Sequence, residues 1–256
     1  MIEVTPHRTG SPPALVTLVR GDIRELAALG AAARLAEALR AGLVGAVAPG
    51  RPRAGLDLLR LLTEDCVGRW YAWPDLAGQA ARGRVRGVLI AGETWRAAAR
   101  GIWGTLERCP LLIQRRRPFE LPSRVLVGAD SRSTLAALAR AVEALPGRPS
   151  VTVAYASVPP WACGMTAAVG YPVMVGQPQR YEFPWPLSGG MRGVCLESTP
   201  QWGIRSLVAE LRPELVVLGV RRHRLHVPWL SHPTAWSLSR KLPTDVLLWP
   251  VGGEQG

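Results

Sequence analysis

The sequence predicts an α/β protein built twice over, each half an open, parallel, five-stranded sheet with helices on both faces. Short apolar runs alternate with stretches whose apolar residues recur at helical spacing. This strand-then-helix order occupies residues 14–114 and restarts at residue 124, the pattern of parallel strands joined by crossover helices. The chain has 256 residues, 48% of them hydrophobic, which is enough to bury two cores.

In the first half, residues 1–13 form a polar, proline-containing tail. Ala14 to Val19 is a continuous apolar run ending in Arg20-Gly21-Asp22, and Ile23 to Leu39 has helical periodicity. Leu43 to Ala48 is a second strand, closed by Pro49-Gly50. Arg53 to Leu62 is a helix, with leucines at 56, 58, 59, 61 and 62. Trp70 to Ala72 is a short third strand, followed by a helix over Asp75 to Arg82. Val85 to Ala91 is a buried strand, Trp95 to Arg108 a helix, and Leu111 to Gln114 a last strand entered through Pro110.

Residues 115–122 are charged, contain two prolines and read as a linker. The second half, residues 123–252, then repeats the order. Arg124 to Asp130 is a strand, and Ser131 stands where it caps a helix running from Thr134 to Ala144. Val151 to Ala156 and Gly193 to Glu197 are strands, and Trp202 to Leu211 is a helix. Leu215 to Gly219 is the fourth strand, Pro233 to Lys241 a helix with proline in its first turn, and Val246 to Val251 the fifth strand. Only residues 159–186 break the pattern. They are rich in Pro, Gly, Trp and Tyr, and Trp161, Tyr171, Tyr181, Phe183 and Trp185 are expected to cover a groove of this same chain.

The formal charge is +12, which by itself suggests a polyanionic partner. The basic residues are, however, arginines spread along the whole chain, with Lys241 the single lysine. Short clusters occur only at 115–117 and 221–224, so nucleic-acid binding is not the expected function. Cys66, Cys109, Cys163 and Cys195 are far apart and read as buried apolar residues of a reducing compartment. The one close set of histidines, 223, 226 and 232, lies among arginines that would repel a metal ion. No apolar stretch approaches the roughly 20 residues needed to cross a bilayer, and the amino-terminal residues lack a signal-like apolar core. The expectation is therefore a cytoplasmic protein without membrane insertion. No Ser-His-Asp set or carboxylate pair stands out, and Cys109 is expected in the core. The expectation is not an enzyme.

At 124–131 and 215–251 the chain resembles the universal stress protein family in its tandem, two-domain form, which implies two Rossmann-like domains of the adenine-nucleotide-binding kind. In that family the first strand ends in Asp and a small residue, matched here by Asp130-Ser131. The fourth strand feeds a loop of pattern Gly-x-x-Gly-x9-Gly-Ser/Thr. The resemblance implies that Asp130 recognises the base, that Ala156 contacts it and that Gly219 holds the first glycine. Arg222 replaces the second glycine, His232 the third, and Pro233 the hydroxyl residue. Proline has no N–H to donate, and glycine is what lets backbone N–H groups approach phosphate oxygens closely. Arg221, Arg222 and Arg224 remain as side-chain ligands for an anion.

In the first half the resemblance places Arg20 where the family has Asp, and the stretch from Gly92 to Pro110 is too short for the glycine loop plus a helix. Gly101 and Gly104 read as packing contacts. The resemblance also implies an intramolecular pseudo-dimer, with Leu111–Gln114 and Val246–Val251 at its contact, where covalent linkage keeps assembly independent of concentration. The expected function is a non-catalytic, stress-related binding or scaffold protein with an unknown protein partner and without family-type ATP binding. Two alternatives stay open: an ATP- or AMP-responsive switch with one site in the second half, and an accessory domain for a transporter or other complex.

Overall fold

The computed structural model describes residues 14–48, 54–73, 79, 84–96, 109–115, 120–143, 145, 147–157, 179–187, 189–221 and 234–251. The chain divides into two compact units, residues 1–109 and 110–256.

The first unit contains four parallel strands, β1 (Ala14–Val19), β2 (Gly42–Val47), β3 (Arg69–Ala72) and β4 (Val85–Ala91), in the order β3-β2-β1-β4. Central β1 is apolar almost throughout because it is covered on both faces: Leu15, Val16, Leu18 and Val19 are all buried. Helix α1 (Leu26–Ala38) follows a 3-10 turn at Ile23–Glu25 and buries Ala28, Leu29, Ala31, Ala32 and Ala36. Its alanine-rich inner face allows close approach to the strands. Helix α2 is Leu56–Leu62, of which Leu56 and Leu59 are buried.

The second unit contains β5 (Leu111–Gln114), β6 (Arg124–Gly128), β7 (Ser150–Ser157), β8 (Gln179–Tyr181), β9 (Arg192–Glu197), β10 (Leu215–Arg221) and β11 (Asp245–Val251). Their order is β5-β11-β10-β6-β7-β9-β8. Five parallel strands form the middle, and β5 and β8 run antiparallel to β11 and β9. Helices α3 (Arg132–Glu143), α4 (Pro200–Leu211) and α5 (Thr234–Lys241) connect them. One core packs Val125, Val127, Leu135, Leu138, Val153 and Val217 together, each nearly solvent-free.

This is the α/β architecture that the alternation of strands and helices predicts, with the strands shared out differently. β5, read from the sequence as the last strand of the first half, counts with the second unit. There Leu112 lies opposite Leu247 and Ile113 opposite Val246, so the two strands that the resemblance brings together do pair. Arg115, assigned to the linker, is part of the same structure. Its backbone N–H donates to Asp245 Oδ1 at 2.6 Å, and its guanidinium donates to the carbonyls of Thr244, at 3.2 Å, and Ser239. Strand β8 was not foreseen; it adds an antiparallel edge from within the aromatic stretch.

Phe183 and Trp185 of that stretch pack on their own chain. Trp185 lies 4.6 Å from the Tyr155 ring and Phe183 meets Trp185 edge-on at 5.5 Å. Tyr181 instead stands exposed on β8, its hydroxyl donating to Glu197 and lying 2.8 Å from Gln179 Oε1. Trp161, Tyr171 and Cys163 lie outside the described residues, as do most of 75–82 and all of 97–108, with Gly101 and Gly104. Cys109 and Cys195 are buried, but Cys66 is exposed, against expectation. It sits in the turn after α2, where residues 64–66 are all exposed. Among the described residues, no helix is long and apolar enough to cross a membrane.

Candidate functional site

In a parallel sheet every strand delivers its carboxyl end to the same edge, where the loops enter the helices; ligands of open α/β sheets sit in the crevice there. In the second unit the ends of β6, β7 and β10 surround a cavity of about 120 Å³. Its lining includes Asp130, Ala156 and Gly219, the three residues that the resemblance assigns to one site, with Thr134, Ile204 and Leu218. Arg221 ends β10, while Arg222, Arg224, His232 and Pro233 lie outside the described residues.

Asp130 is exposed at the rim, directly after β6. The Ser131 hydroxyl accepts the Thr134 backbone N–H at 3.2 Å and lies 3.2 Å from Asp130 Oδ1, so it caps α3 as expected. Helix α4 begins with Thr199, whose hydroxyl accepts the Trp202 N–H at 3.4 Å, followed by Pro200, which has no N–H. The starts of α3 and α4 therefore have donors already satisfied or missing, which weakens their pull on an anion, while Thr234 and Ala235 bring the first turn of α5 to the same cavity.

Gly219 has a packing reason to be glycine. A Cβ there would stand 2.8 Å from Val251 Cγ2 and 3.0 Å from Thr134 Cγ2. Both neighbours are β-branched and stiff, so β10 passes beneath α3 only without a side chain. The cavity walls are mostly alanine, leucine and isoleucine, and Asp130 and the threonine hydroxyls supply the polarity. Such a site can hold a small apolar group hydrogen-bonded at its rim. No histidine occurs among the described residues, and none of their His, Cys, Asp or Glu side chains form a group of three placed to hold a metal ion.

The equivalent place in the first unit, at the end of β1, is built differently. Gly21 has φ +90°, and with Arg20 and Asp22 it turns three successive backbone N–H groups inward, a nest that fits an anion. The anion is the chain's own. Glu25, 2% exposed, accepts from Arg20 N at 2.9 Å and from the N–H groups of Gly21 and Asp22, each at 3.0 Å. The buried Thr94 hydroxyl also donates to it. Burial raises the Glu25 carboxyl above its ordinary value, although the three backbone donors pull the other way. Asp22 caps the 3-10 turn through Arg24 N at 3.1 Å. Residues 92–96 are helical directly after β4, which leaves no room for a phosphate loop there.

Glu25 and Thr94 are not among the residues that the sequence singles out. The signal was present as Asp22-x-x-Glu25 at a helix start, the spacing of a capping box. Cys109 is the core residue that its place before a buried strand predicts: burial pushes its thiol up to about 11, so the nucleophilic thiolate is disfavoured.

A universal stress protein of Archaeoglobus fulgidus superposes with a TM-score of 0.61 at 13% identity, covering 93% of this chain and 98% of that one. The chain has the universal stress protein fold. A functionally unknown protein of Pseudomonas aeruginosa is similar in the same way, with a TM-score of 0.59, 16% identity, and coverage of 93% and 92%. No known protein-family model matches the sequence, and no curated protein does. At these identities the likeness is one of fold.

Proposed function

We propose that this chain is a non-catalytic binding or scaffold protein of the universal-stress type, acting in a stress response through a protein partner and without holding ATP as nucleotide-binding members do. The observation that carries the reading is Glu25: the anion nest at the end of β1 is filled by a carboxylate of the same chain. The second unit supports it. Its cavity, about 120 Å³, falls short of the roughly 300–1,000 Å³ typical of sites for larger ligands. Ser131, Thr199 and Pro200 also leave few N–H groups for phosphates at the starts of α3 and α4.

Equilibrium dialysis against labelled ATP at moderate salt tests the reading, together with an assay for phosphate release. The expected result is no stoichiometric retention and phosphate release at background. Retention near one equivalent, or turnover, would overturn it.

One observation favours a second reading. Asp130, Ala156 and Gly219 do line one cavity, the arrangement a base-binding site would use. In that reading ATP or AMP binds the second unit and alters affinity for a partner, and binding requires Asp130.

A further inference from the structure

A larger cavity, of about 480 Å³, opens in the second unit at the opposite end of the strands, beside the C-terminal turns of α4 and α5. Ala209 and Pro243, both exposed, give it an apolar floor over the buried Val208, Pro213 and Leu242. Arg205, Arg212 and Lys241, all exposed, stand around it, and no acidic residue lines it.

Cations at helix C-termini ordinarily answer the helix dipole. Two helix ends contribute roughly −0.5 each, so three cations leave a surplus of roughly +2. The carboxylates that flank these segments are engaged elsewhere. Glu210 pairs with Arg180, Glu214 accepts from Ser123 and pairs with Arg124, and Asp245 accepts from Arg115 N. None of the three cations forms an ion pair with a described carboxylate. A purely ionic ligand would leave the apolar floor wet, and a purely apolar one would desolvate unpaired cations. The complementary ligand is therefore both acidic and apolar. Among the described residues, no carboxylate of this chain lines the groove or pairs with its cations.

We propose that this groove docks an acidic, leucine-containing peptide segment of a partner protein. Its carboxylates meet Arg205, Arg212 and Lys241, and an apolar side chain rests on Ala209 and Pro243. The site is independent of whether the crevice at the other end of the strands holds a nucleotide.

The test is fluorescence anisotropy of the full chain with a fluorescein-labelled peptide of two Glu-Leu-Glu-Glu-Leu-Glu repeats. The Arg205→Glu/Lys241→Glu variant is compared with Arg140→Glu/Arg192→Glu, an equal charge change at exposed sites away from the groove. The groove variant is expected to weaken binding by about tenfold or more, and the control by only a few-fold. A peptide with serine in place of leucine is expected to bind at least several-fold more weakly. Equal weakening by both variants would show attraction to net charge alone and overturn the proposal. So would undiminished binding of the serine peptide, or displacement of the probe by millimolar inorganic phosphate, which would mark a small-anion site.

Discussion

The two units close the carboxyl ends of comparable central strands in opposite ways. After β1 the backbone forms an anion nest and Glu25 fills it; after β6 the chain leaves a cavity with Asp130 at its rim. In one unit the polar groups of the strand end are satisfied from within. In the other, capping by Ser131 and close packing at Gly219 hold the strand end while a small space remains. The same layout thus serves as structure in one place and as a candidate site in the other, and the difference turns on a few side chains.

The largest effect separating the two ends should come from Glu25→Ala. It strips the acceptor from three backbone N–H groups and a buried hydroxyl, each costing about 1–3 kcal/mol when left unsatisfied. Urea denaturation should show a loss of about 3 kcal/mol or more, whereas exposed Asp130→Ala should cost less than about 1 kcal/mol. Similar losses for both would erase the contrast.

Gly219→Ala comes next. The added methyl group crowds Val251 and Thr134, and overpacking of this kind costs about 1–3 kcal/mol. A neutral result would show that packing is not what holds glycine there.

The third contrast is pH dependence. Because the folded-state value of Glu25 lies above the unfolded one, the protonated form favours folding. That contribution is fully present below the unfolded value of about 4.3 and is lost as pH rises through the folded one. The midpoint urea concentration should therefore fall across that interval, and Glu25→Gln should flatten the trend; an unchanged slope in the variant would assign it to another group.

The smallest difference concerns thiols. Exposed Cys66 should react with a disulfide reagent in the native protein, while Cys109, with its pKa pushed up to about 11, should react only on unfolding. Prompt reaction of both would place Cys109 nearer solvent than the core.

Much of this contrast was legible in the chain. The apolar runs located the strands of both units because strands covered on both faces cannot hide their composition, and Asp130-Ser131 and Gly219 marked the ends that converge. Glu25 was less visible: its carboxylate acts through backbone donors, which sequence does not display, although the Asp22-x-x-Glu25 spacing hinted at it. The membership of β5 depends on long-range pairing with β11, and local pattern carries no register between strands so far apart. The basic groove was hidden for the same reason, since Arg205, Arg212 and Lys241 come from two helices and meet only in the fold.

The most direct measurement is calorimetric titration of the protein with ATP and AMP at low and moderate salt, beside Asp130→Ala. The account predicts no stoichiometric binding that survives moderate salt, and any weak heat at low salt should be the same in the variant. Salt-tolerant binding of one nucleotide per chain, abolished by Asp130→Ala, would contradict it and make the cavity after β6 a nucleotide site.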